Sequence, residues 1–191
     1  KALATIPSPS FEGITFPRDY RTEVVGDGDV IPIKGRELLV FEIPDHAVGS
    51  LAFLDRKERI LFSGDEITRG DKHVNGSVEH WNRMLEKIVP YRKDFDTICA
   101  GPEMMDASVF DHQKTAAEYI LAGHEGISPE PVPFHPYEKK DAEGRLIWKR
   151  KLPHPGDLPK DFGRISEWDR ELTFEGYTVV YDCRKITDGG N

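Results

Sequence analysis

The chain has 191 residues, 38% of them apolar, enough to fill the core of one ordinary domain or of a smaller domain with an extension. Its 26 basic and 34 acidic residues leave a net charge of -8, which repels a nucleic-acid backbone and an anionic bilayer surface alike. No apolar run reaches the roughly 18 residues of a membrane span, and no charged-then-apolar leader is visible. The expectation is therefore a soluble, cytoplasmic protein with neither nucleic acid nor membrane as partner.

Residues 1–20 read as an N-terminal arm broken by prolines, with at most a short strand over Ile14 to Phe16. Thr22 to Val25, Val30 to Ile33 and Glu37 to Ile43 read as strands, separated by Gly26-Asp27-Gly28-Asp29 and Lys34-Gly35-Arg36, both of which are turn chemistry. Ser50 to Leu54 and Arg59 to Phe62 form a hairpin over the charged loop Asp55-Arg56-Lys57-Glu58.

From Ser77, a natural cap, Val78, Trp81, Leu85, Ile88 and Val89 recur at helical spacing, and Pro90 closes that helix. Phe95 to Ala100 reads as a buried strand. Asp106 then caps a second helix whose inner face carries Val109, Phe110, Ala117, Ile120 and Leu121, with Gly123 as its stop. Residues 128–136 form a Pro-rich linker. Beyond it, residues 137–191 form a β-rich extension, with strands over Leu146 to Lys151 and Leu172 to Cys183, the latter long enough to pair twice. The two cysteines, Cys99 and Cys183, are expected as buried free thiols.

The stretch with most chemical content runs Glu42-Ile43-Pro44-Asp45-His46-Ala47-Val48-Gly49-Ser50, then the hairpin, then Leu61-Phe62-Ser63-Gly64-Asp65. An apolar strand, a His-x-x-Gly-Ser turn, a β-ribbon and a strand ending in Gly-Asp together resemble the metallo-β-lactamase superfamily. The resemblance extends from about Val25 to Gly123. It implies an α/β fold in which residues 21–127 form the C-terminal half of an αββα sandwich, a mixed sheet with helices on one face. It also implies that His46 and Asp65 are metal ligands, Asp65 bridging or orienting two ions, and that the intact enzyme is a hydrolase using one or two zinc ions.

Two departures bear on activity. The family's His-x-His-x-Asp-His text is not found among His46, His73, His80, His112, His124, His135 and His154, and in intact members it precedes the matched region. The strand that should end in Gly-His reads Ala100-Gly101-Pro102, and proline has no donor atom for a metal unless Glu103 substitutes. Catalytic zinc needs three protein ligands and an open position. The 191 residues alone are therefore expected to hold no zinc tightly and to be inactive, with hydrolase chemistry belonging to the intact parent and a small molecule as its substrate.

A half-sandwich also leaves one sheet face without its partner sheet. The expected cover is the residue 137–191 extension folding back, the N-terminal half, or a second copy of the chain in a homodimer, with self-association favoured. Two other functions compete: a non-catalytic member of the family acting as a binding or assembly module, and an accessory role for residues 137–191 as an independent β module. His73 and His80 are expected to be exposed and uninvolved in metal binding.

Overall fold

A computed structural model describes residues 23–69, 72–101, 103–128, 138–140, 146–149 and 167–189, without the side chains of 138–140 and 146–149. The N-terminal arm, Pro102, and nearly all of the Pro-rich linker lie outside these residues.

Strands β1 (Val30–Ile33), β2 (Arg36–Glu42), β3 (Leu51–Asp55) and β4 (Ile60–Phe62) follow one another as an antiparallel meander. The β3–β4 loop is held by Asp55, whose carboxylate accepts the N–H groups of Lys57 (3.1 Å) and Glu58 (3.0 Å). That is the local bonding that makes aspartate a turn residue. Helix α1 (Val78–Ile88) begins at Ser77, whose hydroxyl accepts the His80 N–H at 2.9 Å. It ends in a 3₁₀ turn over Val89–Asp94 that contains Pro90.

Strand β6 (Thr97–Ala100) returns parallel to β4, as a helical crossover allows. Strand β7 (Glu103–Asp106) then folds back antiparallel on β6 and completes a six-stranded mixed sheet in the order β1-β2-β3-β4-β6-β7. Helix α2 (Ser108–Leu121) follows. Asp106 serves its N-terminus by accepting the Ser108 N–H at 2.8 Å, and Gly123 ends it.

Register separates the sheet into two faces. Leu39, Leu54, Leu61, Ile98 and Met105 lie opposite one another on successive strands and join the core beneath the two helices, with Trp81, Phe95 and Phe110 at its centre. Both helices lie on that face, the expected arrangement for a half-sandwich. The other face carries the neighbouring row Val40, Phe53, Phe62, Cys99 and Met104. Both cysteines are free and half-buried.

Three details differ from the sequence reading. Glu23 to Val25 is not a strand, because its polar turn bonds instead: Asp27 accepts the Glu42 N–H at 2.8 Å. Strand β7 was not anticipated, its two methionines and two acids giving no clear alternation. The two-residue strand β5 (Lys72–His73) was also missed.

Residues 138–140 (β8) and 146–149 (β9) pair as a two-stranded ribbon. The final strands β10 (Asp169–Phe174) and β11 (Tyr177–Asp182) form a hairpin over Glu175-Gly176. Both turn residues take positive φ, 49° and 79°, the geometry that matches strand twist in a two-residue hairpin and that glycine adopts without strain. This hairpin does not stand apart: β11 pairs in parallel with β5, and Tyr177, Val179 and Tyr181 enter the same core as the helices.

Candidate functional site

Strand direction determines what meets at the sheet edge. Strands β2, β4 and β6 run the same way, so the turns that follow them lie at one edge: His46 after β2, Asp65 after β4, Gly101 after β6. His46 Nε2 lies 3.9 Å from Asp65 Oδ2, with 56% and 64% of their side chains exposed. Gly101 closes the floor: its φ is +51°, and a Cβ there would stand 3.1 Å from Asp65 Oδ1. Any side chain at that position would crowd the carboxylate as well as strain the backbone.

The donor pair suits one cation in chemistry and reach. A neutral imidazole and a carboxylate are ordinary zinc ligands, and two bonds of about 2 Å span about 4 Å end to end, so a small side-chain rotation brings both onto one ion at a bent angle. The donor count falls short. Glu103 is paired with Arg69 at 3.4 Å. Among the described residues no group of three or more His, Cys, Asp or Glu stands where it could hold a metal ion.

Beneath this mouth lies a buried ionic cluster that the sequence reading did not find. The turn Gly64–Glu66 sends Asp65 outward and Glu66 inward. The Glu66 carboxylate accepts the backbone N–H groups of Asp45 (3.3 Å), His46 (2.8 Å) and Ala47 (3.3 Å). Lys72, 3% exposed, lies 2.7 Å from Asp45 Oδ2 and 3.4 Å from Glu66 Oε2. The other oxygen of Asp45 accepts the N–H groups of Asn75 and Gly76, both at 3.0 Å. The one available signal was a glutamate placed directly before the apolar Ile67.

The other histidines lie elsewhere. His73 is exposed as expected, whereas His80 is half-buried, its Nε2 lying 3.3 Å from the Pro44 carbonyl just before the His46 turn. Near it, hydrogen bonds from Ser77 and Arg83 hold the Asp188 carboxyl below its ordinary range. His112 pairs with Glu175 at 3.5 Å, and His124 stacks on Tyr119. Among the described residues no helix is long and apolar enough to cross a membrane.

No protein-family model matches the chain. Over 120 residues it is 29% identical to the acyl-coenzyme A thioesterase MBLAC2 of Gallus gallus, a match that covers 62% of this chain and 37% of that protein. Over 134 residues it is 28% identical to the hydroxyacylglutathione hydrolase of Klebsiella pneumoniae, covering 69% of this chain and 47% of that one. The chain thus spans less than half the length of these curated relatives. Among solved structures, a metallo-beta-lactamase from Pontibacter korlensis aligns with a TM-score of 0.40 at 15% identity, over 48% of this chain and 46% of that chain.

Proposed function

Because the chain belongs to the metallo-β-lactamase superfamily, we propose that it supplies the C-terminal part of a metal-dependent thioester hydrolase, to which His46 and Asp65 each give a ligand. The observation that carries this reading is their approach to 3.9 Å across an intervening β-ribbon. The remaining ligands come from a segment outside these 191 residues that bears the His-x-His-x-Asp-His text, and without it the chain is inactive. The relatives' names, which describe acyl groups carried on coenzyme A and on glutathione, support a thioester as the substrate class.

Zinc, when bound, supplies a hydroxide near neutral pH and polarises the carbonyl under attack. The chain's own residues do the rest. His46 offers an imidazole nitrogen, Asp65 a carboxylate oxygen beside it, and Gly101 keeps the space over that carboxylate free for substrate. The far row of the sheet completes the picture, since Phe62 is 36% and Met104 57% exposed. That face is covered by the N-terminal half of the fold or by a second copy of this chain.

The test is to fuse the chain behind the N-terminal half of a family member and to measure zinc and thioester hydrolysis. The expected product binds at least one zinc per chain and turns over acyl thioesters, and His46→Ala abolishes both. A folded fusion that stays metal-free and inactive would instead identify a binding or assembly module.

A further inference from the structure

Resting on the metal-ligand reading of His46, we propose that Glu66 is its positioning residue, a buried carboxylate that holds the His46 turn facing Asp65 before any ion arrives. Three consecutive N–H groups, those of residues 45, 46 and 47, converge on the Glu66 oxygens, the His46 N–H lying 2.8 and 2.9 Å from the two of them. A run of backbone donors around one anion fixes the backbone that carries them. Residue 45 is pinned from two further directions, by Lys72 on its carboxylate and by the Asn75 side-chain amide on its carbonyl at 3.1 Å. With the Asp45 side chain drawn inward and wholly buried, the next side chain in the turn, His46, is left outward.

The same short turn delivers both parts of the device. Asp65 and Glu66 are adjacent, and one points to the mouth while the other points beneath it. The position of the carboxylate ligand and the position of the imidazole are therefore coupled through a single peptide unit rather than through the ion. Such support usually governs how well ligands already in place capture a metal. The Glu66 side chain is itself buried and lines a small internal cavity with Ile43, Ile67 and Trp81.

The experiment uses the 191-residue chain in metal-free form and follows backbone amide resonances of residues 45–47, 64–66 and 101 during titration with Zn²⁺, a readout that registers weak binding. The parent is expected to shift at these amides. Glu66→Gln, whose amide group cannot accept all the loop donors, is expected to weaken the Kd by about tenfold while resonances of the distant core stay in place. A folded Glu66→Gln chain with the parental Kd overturns the positioning role and leaves the metal site standing. A His46→Ala chain that titrates like the parent removes the metal-ligand reading itself, and the proposal with it. Should Glu66→Gln not fold, hydrogen exchange in the parent decides: amides 45–47 protected like those of β4 support the clamp, and exchange at open-turn rates overturns it.

Discussion

Lys72 is the residue on which the buried cluster balances. It is a single cation between two buried carboxyl groups, whose oxygens are otherwise met by backbone N–H groups from residues 45–47, 75 and 76. Deleting the ammonium leaves both carboxylates buried without their shared cation, and breaking a buried pair from one side is the expensive direction. Lys72→Met is expected to lower the unfolding free energy by about 3–5 kcal/mol, read from urea denaturation. A loss below 1 kcal/mol would show that the ammonium is dispensable. The two mouth residues were legible because strand ends at a common edge leave a local text, His-x-x-Gly-Ser and Gly-Asp. Lys72 and Glu66 were not, since their burial depends on β5 pairing with a strand more than a hundred residues away, and no local periodicity carries that information.

The C-terminal hairpin shows the same dependence at the level of elements. Its long apolar run was readable as a strand able to pair twice, and so it is, over a Glu-Gly turn. Its partner was not readable, because β5 has only two residues and neither is apolar. Tyr177 tests whether the hairpin belongs to the domain. Its hydroxyl donates to the Thr68 carbonyl at 3.0 Å and accepts from Gln113 of α2, so it ties β11 to that helix and to the loop before β5. Tyr177→Phe removes both bonds and strips the buried Gln113 of a partner, with an expected cost of about 1–3 kcal/mol. If the hairpin folds with the helices, exchange of α1 amides through global unfolding accelerates with it. Unchanged α1 exchange would mark the hairpin as a separate unit. Further along, Asp188 ties the tail to the start of α1. Because the Ser77 and Arg83 bonds depress its carboxyl, the folded chain takes up this proton at lower pH than the unfolded chain. The resulting stability is fully present above about pH 4 and is lost as pH falls through the folded value. Asp188→Asn is therefore expected to flatten the acid limb of a stability-versus-pH curve below about pH 4 and to leave its shape at neutral pH unaltered.

For the molecule as a whole, the sheet has one face filled by the helices and one whose apolar row runs from the buried Val40 to Phe62 and Met104, 36% and 57% exposed. The filled face was legible: the amphipathic helices were recognisable from their spacing, and helices that follow a meander and cross over to a parallel strand cover it from one side. The other face follows from register alone, for once Leu54 and Leu61 turn inward, Phe53 and Phe62 turn outward. Burying apolar surface is worth about 25 cal/mol per square ångström, so two copies meeting over this row gain more than either gains in water, opposed by the self-repulsion of a net charge of -8. The charge is screened by salt and the apolar term is not, which gives the association a signature. Light scattering at micromolar concentration is expected to give the mass of a dimer or larger, with the larger species favoured as salt is raised. Met104→Lys places an ammonium at the exposed end of the row, where the residue lies outside the buried core cluster, and is expected to shift the population to monomer without lowering the unfolding temperature. A parent chain that is monomeric at every salt concentration would remove the dimer.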